Sequence, residues 1–393
     1  MGIFSKSKKQ KENLAIVLDL GSSSVGGAVF RARKGSAPQM IYSVREEIMP
    51  EKNFNFEKFM KSALQALEEI ARDIVLRGFG RPRRVFVVLA SPWHVSEIRT
   101  INYSKNTSFT FSVALAEGLI EKEIALFQSE LNRKYKREKM RPIELKNIKI
   151  ALNGYVAPEP LNQKAQELAM TLFIAMSSEN VLNQIEEGLA RHFRRGDIKF
   201  SSFTMAAFAV ARDLFQEDSE FILIDIGGEV TDMSMVKEEE LREAASFPIG
   251  ANFIFREIAA ELSITLPEAK SLFYLYKDGH GDTASTARLE PIMKSLKSKW
   301  LQSFQESLAN LSHDLSIPST IFFTAEKELA GFFAELIKGE QFNQYTLTDS
   351  KFKVIPLHGA TLAPFADIAR DASPDPYLLI ACVYLSRTLS VKF

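Results

Sequence analysis

The chain has 393 residues, 46% of them hydrophobic and 25% charged, and its 49 basic and 49 acidic residues leave a formal net charge of zero. That length suits two to four subdomains of about 100 to 200 residues each. The composition excludes disorder and fibrous repeats, and the charge balance gives no support to a general nucleic-acid binder. Cys382, the sole cysteine, excludes an internal disulfide and a thiolate metal cluster, fits a reducing compartment, and reads as a small core residue.

The start, Met1-Gly2-Ile3-Phe4-Ser5-Lys6-Ser7-Lys8-Lys9, lacks the apolar centre of a signal peptide. Residues 1–13 read as a flexible basic tail, whose Ile3 and Phe4 beside four lysines suit at most weak contact with an anionic membrane face. No apolar run reaches the roughly 18 to 20 residues of a spanning helix, so a cytoplasmic protein is expected, at the membrane face at most. Ala15 to Leu20 reads as a buried strand running into the turn Asp19-Leu20-Gly21-Ser22-Ser23-Ser24. Strands over Val25 to Arg33 and Met40 to Glu46 follow, then an amphipathic helix from Phe54 to Arg77. The apolar run Val85 to Ala90 reads as a central strand of a sheet covered on both faces, closing a first-lobe core over 14–90.

Residues 91–178 change texture to strands around one charged helix, Ser112 to Lys139, and read as a small inserted αβ subdomain. The basic run Arg133, Lys134, Lys136, Arg137 and Lys139 reads as a solvated face. Residues 179–220 return to the first lobe, with a helix to Phe193, a strand near Lys199 to Phe203 and a helix from Thr204 to Leu214. His192 at the end of the first of these helices suits its dipole. The second lobe is expected over 221–393, with a helical subdomain at about 250–318 that carries helices at Leu266 to Asp278 and Ala287 to Asp314.

The opening pattern recurs there. Phe221 to Asp225 is an apolar strand running into Asp225-Ile226-Gly227-Gly228-Glu229-Val230-Thr231-Asp232, again followed by a hairpin, 206 residues after Asp19. An apolar strand ending in Asp-x-Gly sets a carboxylate at its mouth, while glycine and serine let backbone N–H groups and hydroxyls approach phosphate oxygens. Either turn alone is an ordinary one; the repeat with both hairpins reads as a two-sided phosphate clamp. Asp19 is expected to hold Mg²⁺ through water and Asp225 to orient water at a terminal phosphate, with Asp232 a hairpin residue. The histidines share no metal-ligand spacing, and neither a Gly-x-Ser-x-Gly elbow nor a Walker loop is present.

These motifs resemble the actin-like ATPases, and within them the FtsA and PilM group. The likeness runs over nearly the whole chain: Leu18 to Val25, Ile224 to Asp232, Leu152-Asn153-Gly154-Tyr155 through Leu172, and Pro248-Ile249-Gly250 with Arg256-Glu257-Ile258-Ala259. It implies a two-lobed α/β fold of duplicated ribonuclease H-like type. It also implies ATP and Mg²⁺ as cofactors, Asp19 and Asp225 as catalytic and metal-holding carboxylates, and Gly21, Ser22, Ser23, Ser24, Gly227, Gly228, Gly250 and Thr324 around the nucleotide.

Departures fall where the group touches nucleotide. Gly26 stands where related chains carry a phosphate-facing lysine. Glu229 replaces a glycine and brings a charge that would repel a phosphate about 4 Å away by roughly 4 kcal/mol at an effective dielectric of about 20. Ala325 and Glu326 fill glycine positions, and Ala269-Lys270-Ser271-Leu272-Phe273 replaces an Ala-Glu-x-x-Lys segment. The resemblance therefore implies an adaptor with a degenerate ATP cleft, a pseudo-ATPase scaffold more than an ATPase. Its first reading is FtsA-like, in cell division with a tubulin-like partner and self-assembly. The alternative is a PilM-like platform that binds a short peptide of an inner-membrane pilus protein; an active ATPase or small-molecule kinase is a further class. Leu389 to Phe393 follow a core-like helix where FtsA-like chains carry a linker and an amphipathic helix, so C-terminal membrane anchoring is not expected.

Overall fold

The computed structural model describes residues 13–32, 36–135, 138–311, 316–339 and 351–390. The expected basic tail lies outside them, apart from Asn13, as do Lys136 and Arg137 of the basic run. In chain order the elements are β1 (Asn13–Leu20), β2 (Ser24–Ala32), β3 (Gln39–Glu47), α1 (Phe56–Leu76), β4 (Arg84–Leu89), β5 (Val95–Thr110), α2 (Val113–Lys134), β6 (Met140–Leu152), β7 (Tyr155–Val156), β8 (Lys164–Ser178), α3 (Glu179–Leu189), β9 (Ile198–Ser202) and α4 (Phe203–Leu214). There follow β10 (Phe221–Ile226), β11 (Thr231–Lys237), β12 (Glu240–Phe247), α5 (Ala251–Leu262), α6 (Leu266–Lys277), α7 (Thr283–Leu311), β13 (Thr320–Thr324), α8 (Lys327–Lys338), β14 (Lys353–Pro356), α9 (Gly359–Leu362), β15 (Asp367–Ile368) and α10 (Pro376–Ser390).

Two sheets share one topology. In the first, β1, β2 and β3 form an antiparallel meander, and β4 and then β9 add in parallel beyond β1. In the second, β10, β11 and β12 repeat the meander, and β13 and β14 add in parallel beyond β10. A third, antiparallel sheet in the order β5-β8-β6-β7 packs with α2.

Strand alternation divides the core. Ala15 and Val17 of β1 face α4 and α10, whereas Ile16, Leu18 and Leu20 face α1 and α3. In β10, Phe221 and Leu223 join the α4 and α10 cluster, whereas Ile222, Ile224 and Ile226 face α5 to α8. The helices α4 and α10 are thus the filling shared by both large sheets. Glu144 of β6 ties the third sheet to this layer by accepting from the Ser201 hydroxyl, the Ser202 amide and hydroxyl, and the Tyr384 hydroxyl.

Some boundaries differ from the sequence reading for local reasons. Phe203 opens α4 rather than ending a strand, because the Ser202 hydroxyl caps the helix at the Met205 amide. The α7 helix starts at Thr283, after Asp282 has taken the Ser285 amide, and α3 stops at Leu189, four residues short of Phe193. The final segment, read as second lobe, returns to the first sheet: β15 pairs with β3, and α10 packs on α4, β1 and β2.

Phe127 of α2 is completely buried against the third sheet. Its replacement by alanine is expected to cost about 3 to 5 kcal/mol through the cavity it leaves. Hydrogen exchange should then rise across β5, β6 and β8 and stay unchanged in β1 and β10.

Candidate functional site

Asp19 shares the parity of Val17 in β1, and Asp225 that of Leu223 in β10, so both carboxylates lie on the faces that look toward the layer between the sheets. The turns after them are alike. The Gly21 amide donates to the Ser24 carbonyl at 3.1 Å, and the Gly227 amide donates to the Val230 carbonyl at 3.0 Å. Thr324, at the end of β13, donates its hydroxyl to Asp225 at 2.7 Å.

Beside Asp19 the structure brings in a cation. Gly26 pairs with Arg45 across the hairpin, and a β-carbon at Gly26 would lie 2.6 Å from the Arg45 guanidinium. Arg45 therefore fills the space next to the missing lysine. Its guanidinium donates to Asp19 at 2.8 Å, to the Ser24 hydroxyl at 2.9 Å and to both oxygens of Asp375 at 2.5 and 3.0 Å. It also lies 5.1 Å from the Tyr377 ring centroid. The other oxygen of Asp19 is buried without a hydrogen-bond partner.

The two turns touch. The Glu229 amide donates to the Ser22 hydroxyl at 3.0 Å, and a β-carbon on Gly228 would lie 2.8 Å from the Ser23 nitrogen. Gly250 supports the second turn from behind. The first amides of α5, Ala251 and Asn252, donate to the Gly227 and Gly228 carbonyls at 2.8 Å each, and a β-carbon at Gly250 would strike both carbonyls at 2.4 Å. Helix N-terminal amides that would otherwise suit an anion are engaged by the chain itself. The Glu229 carboxylate is held by Arg256 at 2.6 and 2.7 Å and by the Asn252 side-chain amide at 2.8 Å.

Further contacts cross between the lobes. The Ser91 hydroxyl donates to Asp232 at 2.9 Å, Arg256 Nε donates to the Glu51 carbonyl at 2.8 Å, and Lys270 pairs with Glu47 at 2.7 Å. The sequence-derived set of Asp19, Gly21, Ser22, Ser23, Ser24, Asp225, Gly227, Gly228, Gly250 and Thr324 lies together around this seam. Sequence reasoning missed Arg45, Asp375, Asn252 and Arg256. The missing lysine at Gly26 was a signal for Arg45, since a hairpin of the right register sets position 45 opposite it. As arranged, the turns meet where a triphosphate would have to pass between them, so the residues present fit that group only if the turns part.

Burial pushes the acids up. Asp225 rises to about 8, the Thr324 hydroxyl offsetting part of the burial while Asp232 and Asp19 add repulsion. Asp19 rises to about 6 despite Arg45, and Asp232 to about 6 despite Ser91. A carboxyl with a raised folded-state pKa binds its proton more tightly folded than unfolded. Its stabilisation is therefore complete below about pH 4 and is lost as pH rises through about 6 for Asp19 and Asp232 and about 8 for Asp225. Stability is expected to fall between pH 5 and pH 8 by at most about 1.4 kcal/mol per pH unit for each titrating group. Urea midpoints across that range check this, and Asp225→Asn should flatten the upper part of the slope.

No family model matches the chain, and no curated protein matches it. Among solved structures, a PilM–PilN type IV pilus biogenesis complex matches with a TM-score of 0.61 and 14% identity, covering 96% of this chain and 99% of its own. The ethanolamine utilization protein EutJ from Carboxydothermus hydrogenoformans has a TM-score of 0.41 and 10% identity over 94% of this chain and 88% of its own. A Bacteroides thetaiotaomicron protein with an actin-like ATPase fold and unknown function has a TM-score of 0.36 and 11% identity over 93% and 96%. With the duplicated sheets, the first of these likenesses establishes that the chain has the two-lobed actin-like α/β fold.

Proposed function

We propose that the protein is an actin-fold docking platform that binds a protein partner on its surface, as the resemblance to PilM implies, and that with its altered cleft it turns over no nucleotide. The observation that carries this reading is the Arg45 guanidinium, which stands beside Gly26 and is committed to Asp19, Asp375 and Ser24. A phosphate at that strand would meet a cation already engaged by two carboxylates, the geometry in which arginine binds most strongly. The PilM–PilN assembly, a complex built for pilus biogenesis, supports a role in protein partnership. An FtsA-like division role draws less support, because the likeness with a TM-score of 0.61 is to a pilus biogenesis complex. Among the described residues no helix is long and apolar enough to cross a membrane.

The partner's place is a groove of about 370 Å³ between β6, α4 and α10. Ile148, Met205, Phe208 and Tyr384 supply its apolar surface; Lys146, Arg212 and Arg387 bring cations to its edges, Glu239 and Glu240 bring carboxylates, and Asp213 pairs with both arginines. Lys146 lies over the Tyr384 ring at 5.6 Å and Arg212 over Phe208 at 5.3 Å. An apolar trough with edges of mixed charge suits a short peptide that buries apolar side chains in it.

Isothermal titration with a slowly hydrolysed ATP analogue and Mg²⁺ should give no heat, and millimolar nucleotide should leave the melting temperature unmoved. Micromolar binding would sink the reading. Fluorescence anisotropy with labelled apolar peptides should detect binding that Ile148→Glu, which sets a charge on the apolar wall, weakens roughly tenfold or more.

A further inference from the structure

The geometry points to an oxyanion-binding corner made by Arg256 and Asn252 that is occupied by the chain's own Glu229 carboxylate, which holds the two lobes together in place of a bound ligand. This deepens the platform reading and rests on it, because a resident nucleotide would require the same turns to part.

The argument starts from the side chain at position 229. Both oxygens of Glu229 accept from Arg256 in a forked pair at 2.6 and 2.7 Å, and one also accepts from Asn252 at 2.8 Å. The planar guanidinium fork that suits a carboxylate suits phosphate or sulfate equally well. The Glu229 amide donates to the Ser22 hydroxyl at 3.0 Å, which pins the loop that carries this carboxylate to the first turn.

The same residues span the seam. Arg256 reaches the Glu51 carbonyl in the first lobe through its Nε, so the carboxylate orients an arginine that grips both lobes at once. Arg256 and Glu229 are 19% and 12% exposed at their side chains, shielded enough for the pair to resist screening. The charge that would repel a nucleotide's phosphate thus becomes the group that makes a phosphate unnecessary for closure.

Glu229→Gly removes the carboxylate and leaves Arg256 and Asn252, the two side chains that hold it, in place. Three proteins should be melted with and without millimolar inorganic phosphate: the wild type, Glu229→Gly, and Glu229→Gly with Arg256→Met. The wild type should be unmoved. The single variant should melt lower and recover by about 2 to 4 °C when phosphate binds, and the double variant should not recover. Phosphate stabilisation of the wild type as large as that of the single variant, or a folded single variant blind to phosphate, overturns the inference.

If Glu229→Gly does not fold, Glu229→Gln keeps the shape and removes the charge. Faster hydrogen exchange at Ser22 to Ser24 and Ile48 to Glu51 is then expected, and unchanged exchange counts against the latch. Nucleotide binding by the wild type would sink the platform reading separately, since the phosphate response of the variants is read without nucleotide.

Discussion

Strand alternation in β1 and β10 is the constraint on which the rest of the molecule depends. In each strand the apolar residues of even parity bind the outer helices, and those of odd parity bind the shared layer of α4 and α10. The two aspartates fall on the odd parity, so the packing that builds both cores also turns both carboxylates inward. A slip of one residue in either register would send an aspartate into an apolar outer core.

Turning carboxylates into a shared seam carries an electrostatic cost, and the fold meets it with its own cations. Arg45 bridges Asp19 and Asp375, which links β3 to the start of α10 and draws the final helix back onto the first sheet. Arg256 answers Glu229, and the Ser91 hydroxyl answers Asp232. Asp225 is pushed up furthest of the three aspartates, to about 8, by its burial first, which the Thr324 hydroxyl offsets in part, and then by the neighbouring Asp232 and Asp19. Breaking such a partly buried pair by removing one partner is costly because it leaves the other charge uncompensated, and here the pairs sit where the lobes meet.

The third sheet depends on the same layer. Glu144 caps the entrance to α4 and accepts from Tyr384 of α10, so the groove between β6, α4 and α10 has walls tied to the elements that close the seam. A partner bound in that groove would rest against helices that already touch both large sheets.

The repeated strand-turn-hairpin at Asp19 and Asp225 was legible because both ends of the pattern are local: an apolar run that alternates faces, and glycines at a turn. The helix at Phe56–Leu76 was legible for the same reason, through the spacing of its apolar residues. The departures at Gly26 and Glu229 could also be read, but their meaning could not. Whether a missing lysine leaves a void or a neighbour fills it depends on hairpin register and on a helix more than 300 residues away, since Asp375 holds Arg45 in place. Likewise the repulsion expected of Glu229 vanishes because Arg256 and Asn252 converge on it from α5. By itself the sequence determined the two strand-turn-hairpins and that Asp19 and Asp225 stand at their mouths, because those follow from neighbours along the chain. Only the tertiary structure decided which charges cancel and that the turns meet, because pairing between distant residues is a matter of distance in space, which local pattern does not encode.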